Sequence, residues 1–146
     1  MIRKICLLIL LVFQLSFGQQ GNIPPEISSE NLNEFYCTLA EQNIVTSFDI
    51  VDPDDDSILA LYIQISEGYV QGEDLLTLTG VHPGIQETWD PVSGKLELKG
   101  PGGGEALYAD IIPAVYDVRF NSTNNNPVDK SFSFTIGNAN FLPSTG

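Results

Sequence analysis

An acidic stretch at residues 52–56 is the densest group of chemically useful side chains in this 146-residue sequence. It places four carboxylates within five residues, and carboxylates held so close repel one another unless a hard cation such as Ca²⁺ binds between them. The stretch is not an EF-hand loop, because Ser57 stands where that loop needs glycine and Ile63 where it needs glutamate. We therefore expect calcium as a cofactor, held by these residues: Asp52, Asp54, Asp55 and Asp56.

A second interpretation of the same stretch involves no metal. Aspartate side chains in turns accept hydrogen bonds from nearby backbone N–H groups, so residues 52–56 also fit a solvated acidic turn. If a metal does bind, further carboxylates are needed to complete its coordination. The candidates are Glu26, Glu73, Asp74 and Asp90.

No other residues form a catalytic pattern, and we expect no catalytic residue and no enzyme. The single histidine, His82, lies beside a proline with no partner set for zinc, so we expect it to pack in a loop. Cys37 has no disulfide partner outside the N-terminal segment and is expected to be a small buried residue. Trp89 fits strand alternation and is predicted to lie in the core. Carboxylate pairs arise by chance among 19 acidic residues, so they do not predict a glycosidase.

The net charge and the N-terminal segment limit the class of protein to which the sequence can belong. The net charge of −13 would repel a polyanion, which argues against nucleic acid as a partner. Arg3 and Lys4 precede nine apolar residues at 5–13, and Ser16 and Gly18 provide small side chains at the −3 and −1 positions of a cleavage site. This pattern predicts a secretory signal peptide, since the run is too short to span a bilayer. We expect a secreted, periplasmic or cell-surface protein with no membrane span after cleavage.

The remaining sequence alternates apolar and polar residues with a period of two. This alternation is typical of antiparallel strands with one buried and one solvated face. About seven short strands separated by Pro, Gly and Asx turns predict an all-β protein, an antiparallel cadherin/Ig-like β-sandwich. The strand segments are 59–66, 95–99, 117–121, 131–136, 44–50, 75–78 and 85–89.

Two connections are predicted in more detail. Residues 90–94 contain Asp, Pro, Ser and Gly, and we expect them to form a five-residue hairpin loop between the strands at 85–89 and 95–98. Residues 108–115 space their apolar side chains by three and four, which predicts one short helix. Pro113 should limit that helix to a turn or two.

Several segments together carry a family resemblance. They include an Asp-Pro-Asp turn at 52–54, a Gly-Glu-Asp-Leu-Leu strand at 72–76, a Gly-Lys-Leu-Glu-Leu-Lys-Gly strand at 94–100 and Ala-Val-Tyr-Asp-Val at 114–118. In this order they resemble the cadherin-like repeat of the chondroitin sulfate proteoglycan type. The chain is more closely similar to the N-terminal module of large secreted surface proteins of gliding, Bacteroidetes-type bacteria, which often continue into a C-type-lectin-like domain.

The resemblance implies a non-catalytic extracellular structural or adhesion module, a spacer or repeat unit, with calcium at the acidic turn. Its expected partners are neighbouring extracellular domains or surface glycans, and the module is expected to be a monomer. The alternative is a carbohydrate-binding module that uses Trp89 and exposed tyrosines. We expect a signal peptide at 1–18, an N-terminal linker at 19–25, the cadherin-like domain at 26–139 and a C-terminal linker, truncated relative to the family, at 140–146.

Overall fold

A computed structural model describes residues 22–30, 39–125 and 128–137. The predicted signal peptide, Cys37 and the C-terminal linker lie outside these residues. Within them the chain forms eleven strands and one α-helix. The elements are β1 (Glu26–Ser29), β2 (Gln42–Asn43), β3 (Phe48–Val51), β4 (Ser57–Ile58), β5 (Ala60–Glu67), β6 (Asp74–Leu78), β7 (Gln86–Asp90), β8 (Lys95–Lys99), a 3₁₀ turn (Pro101–Gly103), β9 (Ala106–Leu107), α1 (Tyr108–Tyr116), β10 (Val118–Ser122) and β11 (Ser131–Gly137).

The strands form antiparallel sheets, as predicted for an all-β sandwich. A four-stranded sheet has the order β11-β5-β8-β7, and a three-stranded sheet has the order β2-β10-β6. Two smaller pairs, β1 with β3 and β4 with β9, lie beside them. All pairs are antiparallel. The fold class read from the alternation of the sequence is therefore confirmed.

One hydrophobic core lies between the sheets. Leu61 and Ile63 of β5 and Leu96 of β8 are completely buried, as the alternation of those strands predicts. The two larger sheets meet face to face, since the Phe120 ring of β10 lies 5.5 Å from the Phe132 ring of β11. The helix covers the same core with these buried residues: Ile111, Ala114 and Val115.

The predicted elements differ from the structure in length more than in kind. The strand expected at 44–50 is β3, which begins only at Phe48. The hairpin between β7 and β8 is present with Asp90 paired to Lys95, so its loop is one residue shorter than predicted. The helix runs for nine residues and continues past Pro113. Burial of Ala114 and Val115 after the proline offsets the hydrogen bond that proline cannot make.

Four strands were not predicted: β1, β2, β4 and β9. Three of them have only two residues, which is too short to show a period of two. They exist because partners distant in sequence pair with them, as Ile58 does with Ala106. In the described part of the chain, no helix has the length and apolar character to cross a membrane.

Candidate cation site

The acidic loop, residues 52–56, connects β3 to β4. Carboxylate oxygens of Asp52, Asp54 and Asp55 all lie within 4.8 Å of one another. Asp54 and Asp55 are exposed and Asp52 is half-buried. These three residues, which we call the acidic triad, could hold a metal ion.

Asp52 organises the loop through its own carboxylate. Its Oδ1 accepts hydrogen bonds from the backbone N–H groups of Asp54 and Asp55, each at 3.2 Å. This is an Asx-type turn, in which an aspartate side chain replaces a backbone acceptor. The capping expected for a solvated acidic turn is therefore present, and the same capping draws the three carboxylates together.

Two distant parts of the chain are tied to the loop. The Tyr108 hydroxyl at the start of α1 donates to Asp52 Oδ2 at 2.8 Å, and the Tyr108 N–H donates to the carbonyl of Asp56 at 2.9 Å. The backbone N–H of Ile23, three residues before β1, donates to Asp54 Oδ2 at 3.0 Å. The loop is therefore the point where the N-terminal segment, β3 and the helix are joined.

A further carboxylate lies near the triad. Glu105 accepts a hydrogen bond from the Ser57 hydroxyl at 2.9 Å, and its charge acts on Asp55. Glu105 comes just before β9, which pairs with β4 and so brings residue 105 to the end of the loop. Nothing in its local sequence marks Glu105, since the residues before it are mainly glycines.

The pKa values of Asp55 and Asp52 are shifted in opposite directions. Desolvation raises the pKa of Asp55, and the charges of Asp52, Asp54, Glu105 and Asp56 raise it further. Desolvation acts in the same direction on Asp52, but hydrogen bonds from Tyr108 and from the N–H groups of Asp54 and Asp55 lower the pKa of Asp52 overall. Asp52 is thus a stabilised anion, while Asp55 carries the unrelieved repulsion of the loop.

Tyr108 responds to the same charges. Desolvation, its hydrogen bond to Asp52 and the surrounding carboxylates raise the pKa of Tyr108, so the hydroxyl stays protonated and remains a donor at neutral pH. Three carboxylates with a neutral hydroxyl beside them form an all-oxygen donor set. Hard cations such as Ca²⁺ prefer oxygen ligands, whereas zinc sites are usually completed by nitrogen or sulfur.

The remaining predicted ligands are not part of the triad. Asp56 adjoins it in sequence but lies outside the cluster, and its carbonyl is used by Tyr108. Glu26 lies on β1, opposite Val51. The other three carboxylates have separate partners: Glu73 accepts from Asn124, Asp74 from Lys130 and Asp90 from Ser93.

His82 and Trp89 play the structural roles expected of them. His82 is only 13% exposed, and its Nε2 lies 3.0 Å from Asp117 Oδ2 and 3.1 Å from the Thr79 carbonyl. Both partners are acceptors, so Nε2 carries the proton and His82 fastens a turn, as predicted. Trp89 packs against the core, with its ring centroid 6.2 Å from that of Tyr69 in an edge-to-face arrangement.

Comparison with known proteins adds no relative. No protein-family model, curated protein or solved structure matches this chain.

Proposed function

We propose that this protein is a non-catalytic structural module of a secreted or cell-surface protein, and that Ca²⁺ stabilises its acidic loop. The observation that carries the proposal is the acidic triad, whose three carboxylates lie within 4.8 Å of one another. An ion held by these residues would fix the segment at Ile23, which already donates to Asp54, against the loop and α1. A cation at this point would hold the N-terminal linker more firmly against the domain.

The resemblance to cadherin-like repeats leads to the same proposal. Some of those modules bind calcium between repeats and act as spacers or adhesion units. We propose neighbouring extracellular domains or surface glycans as partners of a monomeric module. With few protein ligands and open access to water, the affinity should be that of extracellular calcium modules, with Kd about 10⁻⁴ to 10⁻³ M.

Thermal unfolding with increasing Ca²⁺ tests the metal part of the proposal. Binding to the folded state alone raises stability by mass action, so Ca²⁺ at about ten times Kd should raise Tm by on the order of 5 °C. Asp55→Asn should abolish most of this rise. Asp55 is the ligand to change because the hydrogen bonds of the turn converge on Asp52 and not on Asp55.

Asp56→Asn is the matched control. It removes the same charge from the neighbouring position, yet Asp56 lies outside the triad and should keep the Ca²⁺ response. An unchanged Tm in wild type, or an equal loss of response in both variants, would reject a specific site. Mg²⁺ should give a smaller rise, because it gives up its hydration shell reluctantly.

A carbohydrate-binding module remains the alternative, but Trp89 does not favour it. A sugar-stacking platform needs an aromatic face open to solvent. The Trp89 ring packs against the core and against Tyr69. A glycan array in which wild type binds and Trp89→Ala does not would restore this alternative.

A further inference from the structure

Lys130 and Asp74 form a buried pair between the two larger sheets. Asp74 is the first residue of β6 in the three-stranded sheet, and Lys130 directly precedes β11 in the four-stranded sheet. Lys130 Nζ lies 2.6 Å from Asp74 Oδ2, and the two side chains are 6% and 0% exposed. The pair joins positions 56 residues apart and is independent of the acidic triad.

The polar atoms around the pair have an uneven set of partners. Asp74 Oδ2 accepts from the Val70 N–H at 2.7 Å as well as from Lys130. Lys130 Nζ also donates to the carbonyl oxygen of Gly68. Asp74 Oδ1 is buried without a hydrogen-bond partner, and among the described side chains it is the one buried polar atom in this condition. An unpaired buried carboxylate oxygen is costly and unusual in a folded protein.

The backbone at Gly68 is shaped to hold the lysine in place. Gly68 has a φ of +72°, and a Cβ at this position would collide with the carbonyl oxygen of Asp129. Only glycine combines this backbone conformation with so close an approach. The contact fixes residue 129 against residue 68, and therefore directs the next side chain, Lys130, into the space beside Asp74.

We propose that Lys130 and Asp74 condense to an intramolecular isopeptide bond that covalently joins the two sheets. The Lys130 ammonium first passes a proton to Asp74 Oδ2, the oxygen that it contacts. The neutral Nζ then attacks Asp74 Cγ to form the C–N bond and a tetrahedral adduct. In this adduct the Oδ2 proton moves to Oδ1, which takes its second proton from Nζ and leaves as water when the Cγ–Oδ1 bond breaks. The ion pair thus becomes one neutral amide and one water molecule. No oxidant, reductant or cofactor takes part.

The product fits the surrounding hydrogen bonds better than the reactants do. An amide has one carbonyl oxygen and one N–H. The carbonyl, which is Oδ2, keeps the hydrogen bond from Val70, and the N–H keeps the hydrogen bond to Gly68. Loss of Oδ1 as water removes the one atom that has no partner. The Val70 N–H and the Gly68 carbonyl then each make one hydrogen bond to the amide, so both of its polar atoms have a partner.

Burial favours formation of the amide, and the short contact between Lys130 and Asp74 places the reacting atoms close together. In water, the solvation of both ions opposes condensation; at this site neither ion is solvated, so the neutral amide gains relative to the pair. An amine within hydrogen-bond distance of a carboxylate oxygen lies roughly 3–3.5 Å from its carbon, which is the separation of a near-attack arrangement. Enclosure also disfavours the return of the water that would hydrolyse the bond.

A second lysine–carboxylate contact in the domain is partly exposed to solvent. Lys99 Nζ lies 2.8 Å from Glu97 Oε1, nearly the same separation, but these side chains are 28% and 25% exposed. The hydrogen bond to Glu97 raises the pKa of Lys99, which keeps that amine charged and unreactive. We therefore expect an amide at Lys130 and none at Lys99.

Intact-mass spectrometry of the purified folded protein tests the proposal. Wild type should be lighter than its sequence mass by one water molecule, whereas Lys130→Arg should have the mass of its own sequence. Asp74→Asn should form the same amide with loss of ammonia. Proteolysis of wild type should release a branched peptide that joins the segment containing Lys130 to the segment containing Asp74, and Lys99 should be recovered in a linear peptide.

The peptide map of wild type distinguishes an amide from an ion pair even if a variant fails to fold. Recovery of Lys130 and Asp74 only in separate linear peptides, from protein that unfolds cooperatively, would overturn the proposal. That result would mean that the pair is an ion pair only. A water loss assigned to any other residue pair would overturn it equally.

Discussion

The acidic triad and the Lys130–Asp74 pair are two carboxylate clusters that differ chiefly in their access to water. The triad collects like charges on an exposed loop, where solvent and a few N–H donors hold the charge. Asp74 has a completely buried side chain and therefore needs a cation from the protein itself, which Lys130 supplies. An exposed cluster can exchange its counterion with solution, while a buried one is fixed by the fold.

This difference predicts separate roles for the two clusters. Occupancy of the proposed cation site would follow the calcium concentration around the exposed triad. The buried pair has no such access to solution, and it connects the two larger sheets. Asp74 was one of the four carboxylates outside the loop that the sequence offered as metal ligands. Its burial distinguishes it from the exposed aspartates of the loop.

The largest expected effect comes from breaking the buried pair. Asp74→Ala leaves Lys130 buried without a counter-charge, and loss of one member of such a pair costs about 3–5 kcal/mol. Denaturant unfolding should show this loss as a reduced midpoint. Asp56→Ala, which removes an exposed carboxylate, should change the midpoint very little.

A double variant separates an ion pair from a covalent bond. If the pair were ionic only, Asp74→Leu with Lys130→Met should restore much of the stability, since apolar replacements of buried ion pairs are often neutral. If the sheets are covalently joined, the double variant also loses a cross-link that constrains the unfolded chain, worth about 4 kcal/mol by analogy with a disulfide closing a similar loop. Full recovery of stability would contradict the isopeptide bond.

A smaller effect is expected at the triad, where a substitution should stabilise the cation-free protein and not destabilise it. Without divalent cations, Asp55→Asn should raise Tm, because it removes a carboxylate whose pKa is raised by desolvation and by the charges of its neighbours. The same change should lower Tm when Ca²⁺ is abundant. A substitution that reverses sign with calcium would distinguish a cation site from a turn that merely tolerates its charges.

The pH dependence follows from the direction of the shift. A carboxyl group whose folded pKa is raised binds protons more tightly in the folded state, so it lowers stability as pH rises. This cost is absent below the ordinary value of 3.8 and is complete above the raised value in the folded protein. Without divalent cations, the Tm of wild type should fall below that of Asp55→Asn as pH rises from 3.8, and the difference in Tm should become constant at neutral pH. A constant difference at all pH values would contradict this assignment.

The fold was predictable where its determinants are local. Alternation in β5 and β8 identifies the buried faces because strand side chains point to opposite sides in turn, and Leu61 and Leu96 are buried accordingly. The two-residue strands β4 and β9 were not predictable, since each exists only by pairing with the other across the chain. The helix passes Pro113 for a similar reason, because burial of Val115 depends on tertiary packing.

Only the acidic residues of the candidate site could be predicted from the sequence. Density of aspartates marked the loop, but the turn that leaves Asp56 out of the triad depends on the geometry around Asp52. Tyr108 is 56 residues away in sequence, and no motif connects it to the loop. Asp74 was a candidate metal ligand by residue type alone, and only the fold shows that Lys130 occupies the place of a cation.

The most direct test of the contrast between the two clusters is a Ca²⁺ titration followed by backbone amide NMR. We expect saturable chemical-shift changes at the N–H groups of Asp54, Asp55 and Ile23, all of which donate to the acidic loop. The N–H of Val70, which donates to Asp74, should remain unchanged. Shifts centred on Val70, or none in the loop at about ten times the expected Kd of 10⁻⁴ to 10⁻³ M, would contradict it.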